Sequence, residues 1–454
     1  MTSFVYFFGN FVVSYFLIVN SFYAFLIILA IPIIYRRFRE VSLENLFKVR
    51  KAENLPSIAI LIPAYNEENN VIMAIENALA VFYPQKEIIV INDGSEDKTF
   101  QLIMDQYQLV KIPLVISQEI KTKQIRGIYQ SKTFPEILVI DKENGGRGDA
   151  LNTGINTATS DLFLTMDVDT VLEVDSLTRM IRPFLTTPGV LAQGGTLRIL
   201  NGCEVRAGKV YRVNLPKGLI PAIQVVEYLR AFLYGRLGWN ALGGNLIIAG
   251  AFGLFNRKVV LELKGYDTST VAEDFEITLK IQKWARENGN KNSIFFIPDP
   301  VAWTKVPDKL SWIARQRTRW HQGVIEVIAK YKSVLFNPRY GKLGLIGMPY
   351  MLIGEMIEPF FELAGWGLIF FWLFSGSTNF EIVIYILMVS YGITFGLTVV
   401  SIILEITTFR RYKVFPQLVK MFIYSFLENF GFRQLYIFWR IKGFYMYFTG
   451  KRKW

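Results

Sequence analysis

The chain has 454 residues, of which 52% are hydrophobic, and a mean hydropathy of +0.29, which together exclude an ordinary soluble protein. The formal net charge is +12, but the basic residues cluster beside apolar runs, so anionic lipid headgroups explain this charge better than nucleic acid does. The single cysteine, Cys203, excludes an intramolecular disulfide, and the single histidine, His321, excludes a metal site built from several histidines.

The first predicted element is the uncharged run from residue 1 to residue 35, which is longer than the roughly 20 apolar residues that cross a bilayer core. The run has no basic segment before it and no small-residue cleavage site after it, so we predict a permanent anchor rather than a signal peptide. Residues 1–36 are therefore predicted to form one tilted span with an interfacial extension. The basic residues Arg36, Arg37 and Arg39 follow it and place the next domain in the cytoplasm.

Residues 37–335 are the predicted soluble domain, in which short apolar strands alternate with helices. Strands are predicted at 57–64, 87–91, 137–140 and 161–165, and helices at 71–81, 147–158 and 275–284. This alternation favours a mostly parallel sheet covered by helices. Ligands bind beyond the carboxyl ends of such strands, which is where this chain carries its polar motifs.

Two polar turns of this domain suit a nucleotide. Asp93 ends the second strand, and its carboxylate can accept hydrogen bonds from a ribose or a base, although an ordinary solvated turn fits equally well. Arg147 lies in the segment 144–149 (NGGRGD), which opens a helix. Backbone N–H groups at a helix start can contact an anion, but an ordinary helix cap has the same composition.

The carboxylates of Asp167 and Asp169 are two residues apart, directly after an apolar strand. Such charges repel each other unless a divalent cation neutralises them, and oxygen ligands suit Mg²⁺ or Mn²⁺. The metal would balance the charge of a diphosphate leaving group. Taken alone, the pattern also arises by chance on protein surfaces.

Two later motifs each allow two interpretations. Glu273 and Asp274 precede a predicted helix, where an acidic first turn is favoured by the helix dipole; Asp274 could also be a general base for an acceptor hydroxyl. The segment 316–320 (QRTRW) ends the domain. Its cations and Trp320 fit either a juxtamembrane lipid contact or the binding of a diphosphate and a sugar ring.

Residues 336–454 are the predicted C-terminal membrane segments. The uncharged run 382–404 is long enough to predict a span, and the uncharged run 363–374 extends an apolar stretch that begins near residue 343. The segment 416–447 is interrupted by charges and predicts interfacial or re-entrant helices. Three acidic residues lie near one helical face and either line a polymer exit route or mark an interfacial helix kinked at Pro359. They are Glu355, Glu358 and Glu362.

Six motifs together resemble those of the processive family 2 glycosyltransferases, which are the cellulose, chitin, hyaluronan and poly-N-acetylglucosamine synthases. The motifs are 63–67 (PAYNE), 92–95 (NDGS), 144–152 (NGGRGDALN), 167–169 (DVD), 273–274 (ED) and 316–320 (QRTRW). The resemblance covers nearly the whole chain. It implies an α/β GT-A (Rossmann-like) cytoplasmic domain inserted between α-helical transmembrane and interfacial segments. The segments 201–203 (NGC) and 224–230 (QVVEYLR) look most like the poly-N-acetylglucosamine and hyaluronan branch.

The resemblance also implies a role for each matching residue. The implied donor-binding residues are Tyr65, Glu67, Asp93, Arg147, Asp167, Gln316 and Arg319, where Arg147 replaces the lysine of close relatives. The implied catalytic residues are the base Asp274 and its neighbour Glu273, the implied acceptor-binding residues are Trp320 and Gly250, and the implied ligand of Mg²⁺ or Mn²⁺ is Asp169.

The implied function is inverting transfer of a sugar, with N-acetylglucosamine favoured, from a UDP-sugar to a growing β-linked polysaccharide. The implied partners are this donor, the polysaccharide and membrane lipid, with no nucleic acid, and export across the plasma membrane is expected. Two alternatives remain open: transfer of a single sugar to a lipid phosphate carrier, and a catalytically silent nucleotide-sugar-binding scaffold. The QRTRW segment argues against the first alternative, because enzymes of that kind generally lack it.

Overall fold

The computed structural model describes residues 2–43, 55–291, 293–374 and 380–451, and the chain forms two compact units. The helical unit comprises Met1–Arg36, Leu215–Leu242 and Pro307–Trp454, and the sheet unit comprises Arg37–Asn214 and Gly243–Val306. The sequence predicts residues 215–242 and 307–335 in the soluble domain. In the structure they belong to the same unit as the C-terminal helices. The reason is that the helices Leu219–Arg230 and Leu310–Lys330 pack against those helices.

Ten strands of the sheet unit form one sheet in the order β3-β4-β5-β2-β1-β6-β11-β8-β12-β7, and β9 and β10 form a separate hairpin. The strands are β1 (Ile58–Ala64), β2 (Lys86–Asn92), β3 (Leu109–Lys111), β4 (Ile125–Ser131), β5 (Ile137–Lys142), β6 (Leu162–Met166), β7 (Thr170–Leu172), β8 (Ala192–Ile199), β9 (Glu204–Arg206), β10 (Lys209–Arg212), β11 (Phe252–Asn256) and β12 (Ile294–Thr304).

The neighbouring strands β5, β2, β1 and β6 are parallel, as the alternating pattern predicts. The prediction of a mostly parallel sheet is nevertheless wrong for the sheet as a whole, which is mixed. The β3–β4, β4–β5, β6–β11, β8–β11 and β7–β12 pairs are antiparallel. For β4 and β5 the reason is their short connection, because a parallel pair needs a crossover of about a dozen residues.

The helices of the sheet unit cover the parallel strands. They are Val71–Ala80, Thr99–Tyr107, Arg147–Thr157, Ser176–Met180, Arg182–Thr186, Arg257–Glu262 and Glu273–Glu287. Leu151 and Ile155 of the third helix pack with Leu61 and Ile91 in one fully buried cluster. Strands buried on both faces carry continuous apolar runs, which is why β1 and β2 could be recognised in the sequence.

The helices of the helical unit include the candidate membrane spans. Its α-helices are Thr2–Leu43, Leu219–Arg230, Arg236–Ala241, Leu310–Lys330, Met348–Tyr350, Glu358–Phe374, Phe380–Leu387, Ile393–Leu404, Phe415–Leu427 and Arg433–Phe448. Among the described residues, Phe7–Arg36 and Val383–Phe409 are long and apolar enough to cross a membrane. A third candidate span is the pair of helical segments Leu343–Met356 and Glu358–Phe374, which are bent by 40° and pass the same criteria only when taken together.

The acidic residues near this bend have basic partners on the helix Arg433–Phe448. Glu362 pairs with Arg433 at 2.5 Å, and Glu358 pairs with Arg440 at 2.6 Å. The bend lies between Met356 and Glu358, not at Pro359, which occupies the first turn of the next helix where its missing N–H is not needed. These pairs give Glu358 and Glu362 basic partners on a neighbouring helix, and the polymer exit route stays a prediction.

Candidate active site

The carboxyl ends of β1, β2, β5 and β6 lie at one edge of the sheet, because these strands run parallel and in register. The segments that follow them are residues 65–70, 93–98, 143–146 and 167–169. Every donor-binding or metal-binding residue predicted in the sheet unit lies in or directly beside one of these segments. Sheets of this kind bind ligands beyond the carboxyl ends of their parallel strands, and the structure gathers those residues at this edge.

Asp93 organises the loop that follows β5. Its buried carboxylate accepts hydrogen bonds from the backbone N–H groups of Gly145 at 3.0 Å and Gly146 at 2.8 Å, and it pairs with Lys142 at 2.6 Å. Lys142 is fully buried and also pairs with Asp149 at 2.7 Å. The observed role of the Asp93 carboxylate is therefore to shape this loop, and its contact to uridine stays a prediction.

Arg147 contacts two acidic motifs and the backbone of Gly250 through three different nitrogen atoms. Its Nε donates to Asp167 at 2.9 Å, and its Nη1 donates to Glu273 at 3.0 Å. Its Nη2 donates to the carbonyl oxygen of Gly250 at 2.6 Å. A planar guanidinium can hold several acceptors at once, which an ammonium group cannot do in the same geometry. Arg147 therefore connects both acidic motifs to the backbone at Gly250.

The substitution Arg147→Lys is expected to lower kcat about tenfold. The three N–H groups of an ammonium share one nitrogen, so they cannot reach the three acceptors that the separate nitrogens of Arg147 contact. The KM for the donor should change less, since the charge is retained. Arg147→Met removes the charge as well and should also raise the donor KM. Steady-state UDP release from both variants would check this, and equal losses in the two variants would contradict it.

Asp274 is the second residue of the helix Glu273–Glu287. Its Oδ2 accepts a hydrogen bond from the backbone N–H of Gly250 at 3.2 Å, and its Oδ1 accepts one from Phe275 at 2.8 Å. Gly250 thus contacts Asp274 through its N–H and Arg147 through its carbonyl. The helix dipole favours a carboxylate at the start of a helix, and the same carboxylate lies beside Gly250. The structure is therefore compatible with both interpretations of Asp274, as part of an acidic first turn and as a general base.

Asp167 and Asp169 occupy the turn between β6 and β7. The side chain of Asp169 accepts a hydrogen bond from the Thr304 hydroxyl at 3.2 Å. Burial, and then the charge of Asp167, raise the pKa of Asp169 to about 7. A divalent cation beside the two carboxylates would relieve this repulsion, and their oxygens are the ligands that Mg²⁺ and Mn²⁺ prefer.

The described residues contain no group of three or more His, Cys, Asp or Glu side chains that could hold a metal ion. Asp167 and Asp169 would supply one or two ligands. Mg²⁺ is commonly bound in this way, with the oxygens of substrate phosphates and water completing its shell. The donor set fits a metal that binds together with a nucleoside diphosphate.

Tyr65 and Glu67 follow β1 at the same edge of the sheet. Tyr65 is 48% exposed, so its ring is accessible to a ligand. Glu67 accepts a hydrogen bond from Asn70 at 2.9 Å, while its backbone N–H donates to the Thr99 hydroxyl at 2.7 Å. These contacts hold the turn in place, and the predicted contacts to uridine stay predictions.

Gln316, Arg319 and Trp320 lie on the helix Leu310–Lys330 of the helical unit. Arg319 and Trp320 are exposed on this helix, and Gln316 is half-buried. Arg317 is buried, and its guanidinium carbon lies 4.1 Å from the centre of the Trp320 ring. The predicted contacts of this motif to diphosphate and acceptor stay predictions.

Two contributors to the site had no predicted role. Lys142 could have been found as the cation two residues after the apolar run 137–140, between the motifs of Asp93 and Asp149. Thr304 could not have been found from local sequence. It reaches Asp169 only because β12 pairs with β7 across more than 130 residues of chain.

Two family models match this chain. The model described as glycosyl transferase family 2 matches residues 59–262. The model described as glycosyl transferase family group 2 matches residues 162–404, which is more than half of the chain. The matched ranges include the motifs from Pro63 to Asp274.

Curated relatives and one solved structure are also similar. The poly-beta-1,6-N-acetyl-D-glucosamine synthase of Staphylococcus aureus (strain MSSA476) is 29% identical over 279 residues, which are 61% of this chain and 57% of the relative. The enzyme of the same name from Staphylococcus epidermidis is 28% identical over the same shares, so the chain spans little more than half the length of these relatives. A mannosyltransferase from Pyrobaculum calidifontis, solved with GDP-Man and Mn²⁺, superposes with a TM-score of 0.52 at 16% identity, covering 94% of this chain and 100% of the other. This last similarity concerns the fold alone.

Proposed function

Because the chain belongs to glycosyl transferase family group 2, we propose that it transfers N-acetylglucosamine from a UDP-sugar to the end of a growing β-linked polysaccharide. The observation that carries the proposal is the cluster of Asp167, Glu273 and Asp274, which Arg147 and Gly250 draw together in the sheet unit. The choice of sugar is supported by the similarity to the staphylococcal poly-beta-1,6-N-acetyl-D-glucosamine synthases.

In the proposed mechanism, Asp274 accepts the proton of an acceptor hydroxyl as its oxygen attacks the anomeric carbon of the donor. The bond from this carbon to the diphosphate breaks, and UDP departs with the electron pair. A single displacement inverts the anomeric configuration, so an α-linked donor gives a β-linkage. Arg147 would position Asp167 and Glu273 for this step, and the backbone N–H of Gly250 would position Asp274.

The proposed cofactor is Mg²⁺ or Mn²⁺, which when bound supplies positive charge to the diphosphate as a Lewis acid. Asp169 would hold the metal, with Asp167 toward the donor sugar or its ribose. Gln316 and Arg319 would bind the diphosphate, because arginine suits phosphate oxygens geometrically. Tyr65, Glu67 and Asp93 would receive the uridine.

The proposed location is the plasma membrane, with several spans and a cytoplasmic sheet unit. The helices Phe7–Arg36 and Val383–Phe409 support this proposal, together with the basic residues that follow them. The growing polymer would then be made in the cytoplasm and exported across the membrane. Membrane lipid is the expected partner of the apolar helices, and an accessory subunit is left open.

The test is UDP release by the full chain in detergent, supplied with individual UDP-sugars and Mg²⁺ or Mn²⁺. We expect release from UDP-N-acetylglucosamine, loss of this release in EDTA, recovery on adding the metal back, and a product of high mass. A product with only one sugar on a lipid would support the carrier alternative. No release from any donor would support the silent scaffold.

A further inference from the structure

The helix Leu219–Arg230 carries two charged residues, one turn apart, that the proposed function does not use. Arg230 pairs with Glu428 at 2.5 Å within the helical unit. Glu227 pairs instead with Arg317 at 2.9 Å. Arg317 lies inside the segment 316–320, between the residues proposed to bind diphosphate and acceptor. The segment 224–230 is thereby connected to the QRTRW motif.

Glu227, Arg317 and Tyr436 form a closed triangle built from three helices. The Oε2 atom of Glu227 accepts hydrogen bonds from Nη2 of Arg317 and from the hydroxyl of Tyr436, both at 2.9 Å. The guanidinium of Arg317 also lies 5.1 Å from the centre of the Tyr436 ring. Each member of this Glu227 triangle contacts the other two, so the Arg317 guanidinium has both a carboxylate and an aromatic ring as partners.

Trp320 rests on the Glu227 triangle. Arg317 and Trp320 are three residues apart on one helix, a spacing at which side chains meet. The guanidinium carbon lies 4.1 Å from the centre of the Trp320 ring, which is within cation–π distance. Arg317 is 5% exposed and Trp320 is 40% exposed. A buried, fixed cation therefore supports an indole that a ligand can still reach.

The same helix contains a second indole that lacks this support. Trp312 is 54% exposed and has Arg315 at the same spacing of three residues, but their distance is 5.9 Å and Arg315 is exposed. The comparison indicates that the close, buried contact at Trp320 does not follow from helical spacing alone. Arg317 differs from Arg315 in that Glu227 and Tyr436 also contact its guanidinium.

We propose that Glu227, Arg317 and Tyr436 are positioning residues for the acceptor, which hold the Trp320 indole in the plane that stacks on the terminal sugar. The inference rests on the proposed function, which gives Trp320 to the acceptor. A ring already fixed in its binding orientation loses less entropy when a ligand stacks on it. Removing the triangle therefore weakens acceptor binding and leaves donor binding and the chemical step in place.

The test is the double variant Glu227→Gln/Arg317→Met, because removing both members of the pair leaves no buried charge unpaired. The KM for an added β-linked N-acetylglucosamine oligosaccharide is expected to rise about tenfold. The donor KM, and kcat at saturating acceptor, should change less than about twofold. An unchanged acceptor KM would overturn the proposal, and so would equal changes in all three constants.

Fluorescence of Trp320 provides a readout that does not depend on activity. Its contribution is obtained by subtracting the emission of the Trp320→Phe variant, measured with and without acrylamide as quencher. In the double variant we expect the emission maximum to shift and quenching to increase, because the indole loses its fixed cation. If both quantities match those of the wild type, the triangle does not orient Trp320.

The two readouts separate failure of the inference from failure of the proposed function. A wild-type chain that releases no UDP from any donor would refute the proposed function, while the fluorescence difference would still decide whether the triangle orients the indole. Arg315→Met is the matched control, since it removes a cation from the other indole of the same helix, and the acceptor KM should not change. Tyr436→Phe removes only one hydroxyl and is expected to raise the acceptor KM about threefold.

Discussion

Asp274→Asn is expected to lower kcat by about 10²- to 10⁴-fold, which is the usual contribution of a general base. The amide oxygen can still accept the hydrogen bond that Gly250 donates to Asp274, so the side chain should keep its position. The amide cannot accept the proton of the acceptor hydroxyl. Donor binding should therefore be unchanged, which calorimetric titration with the UDP-sugar would show beside the assay of UDP release.

The matched control for this variant is Glu287→Gln at the far end of the same helix. Glu287 is exposed and pairs with Lys283, so neutralising it removes a carboxylate from the same helix without touching the site. It should retain full turnover. If Asp274→Asn also retained turnover, the assignment of Asp274 as the base would be wrong, and Glu273 would be the next residue to test.

Lys142→Met is expected to lower the free energy of unfolding by about 3–5 kcal/mol, the usual cost of breaking a buried ion pair by removing one partner. The carboxylates of Asp93 and Asp149 would both lose their shared cation. The full chain in detergent, heated at one scan rate, should show a thermal midpoint about 10 °C lower. The loop at 143–146 should also loosen, so donor KM should rise.

Lys121→Met is the control, because Lys121 is exposed on the same unit and its replacement should leave the thermal midpoint nearly unchanged. A further variant, Lys142→Met/Asp149→Asn, neutralises one of the two carboxylates that lose their cation. It should recover part of the decrease in the thermal midpoint. A midpoint for Lys142→Met equal to that of the wild type would mean that the two carboxylates are stabilised by their backbone hydrogen bonds alone.

The fold class and the candidate membrane helices could be predicted because their evidence is local in the sequence. The GT-A fold class and the family are confirmed, and the strands at 58–64 and 86–92 lie within two residues of their predicted bounds. The buried parallel strands required continuous apolar runs, and the candidate spans required uncharged stretches of bilayer length. Both requirements are satisfied by neighbouring residues, so the chain displays them directly.

The antiparallel part of the sheet was not predicted, because strand direction depends on pairing between distant segments. β11 inserts between β6 and β8 although it follows both in the chain, and no local pattern specifies that position. The division into units likewise depends on packing. Arg230 pairs with Glu428 and Glu227 pairs with Arg317 across different helices of the helical unit, and a single segment does not reveal such partners.

By itself, the sequence determined the order of the chemical motifs, the family and the apolar segments, since each follows from residues that are close in the chain. Only the tertiary structure decided how those motifs are joined. It placed one arginine, Arg147, among two acidic motifs and Gly250, and one lysine, Lys142, between two carboxylates. A buried charged group needs a partner of opposite charge or a hydrogen-bonding group. The fold can supply this partner from any part of the chain, so neighbouring residues do not identify it.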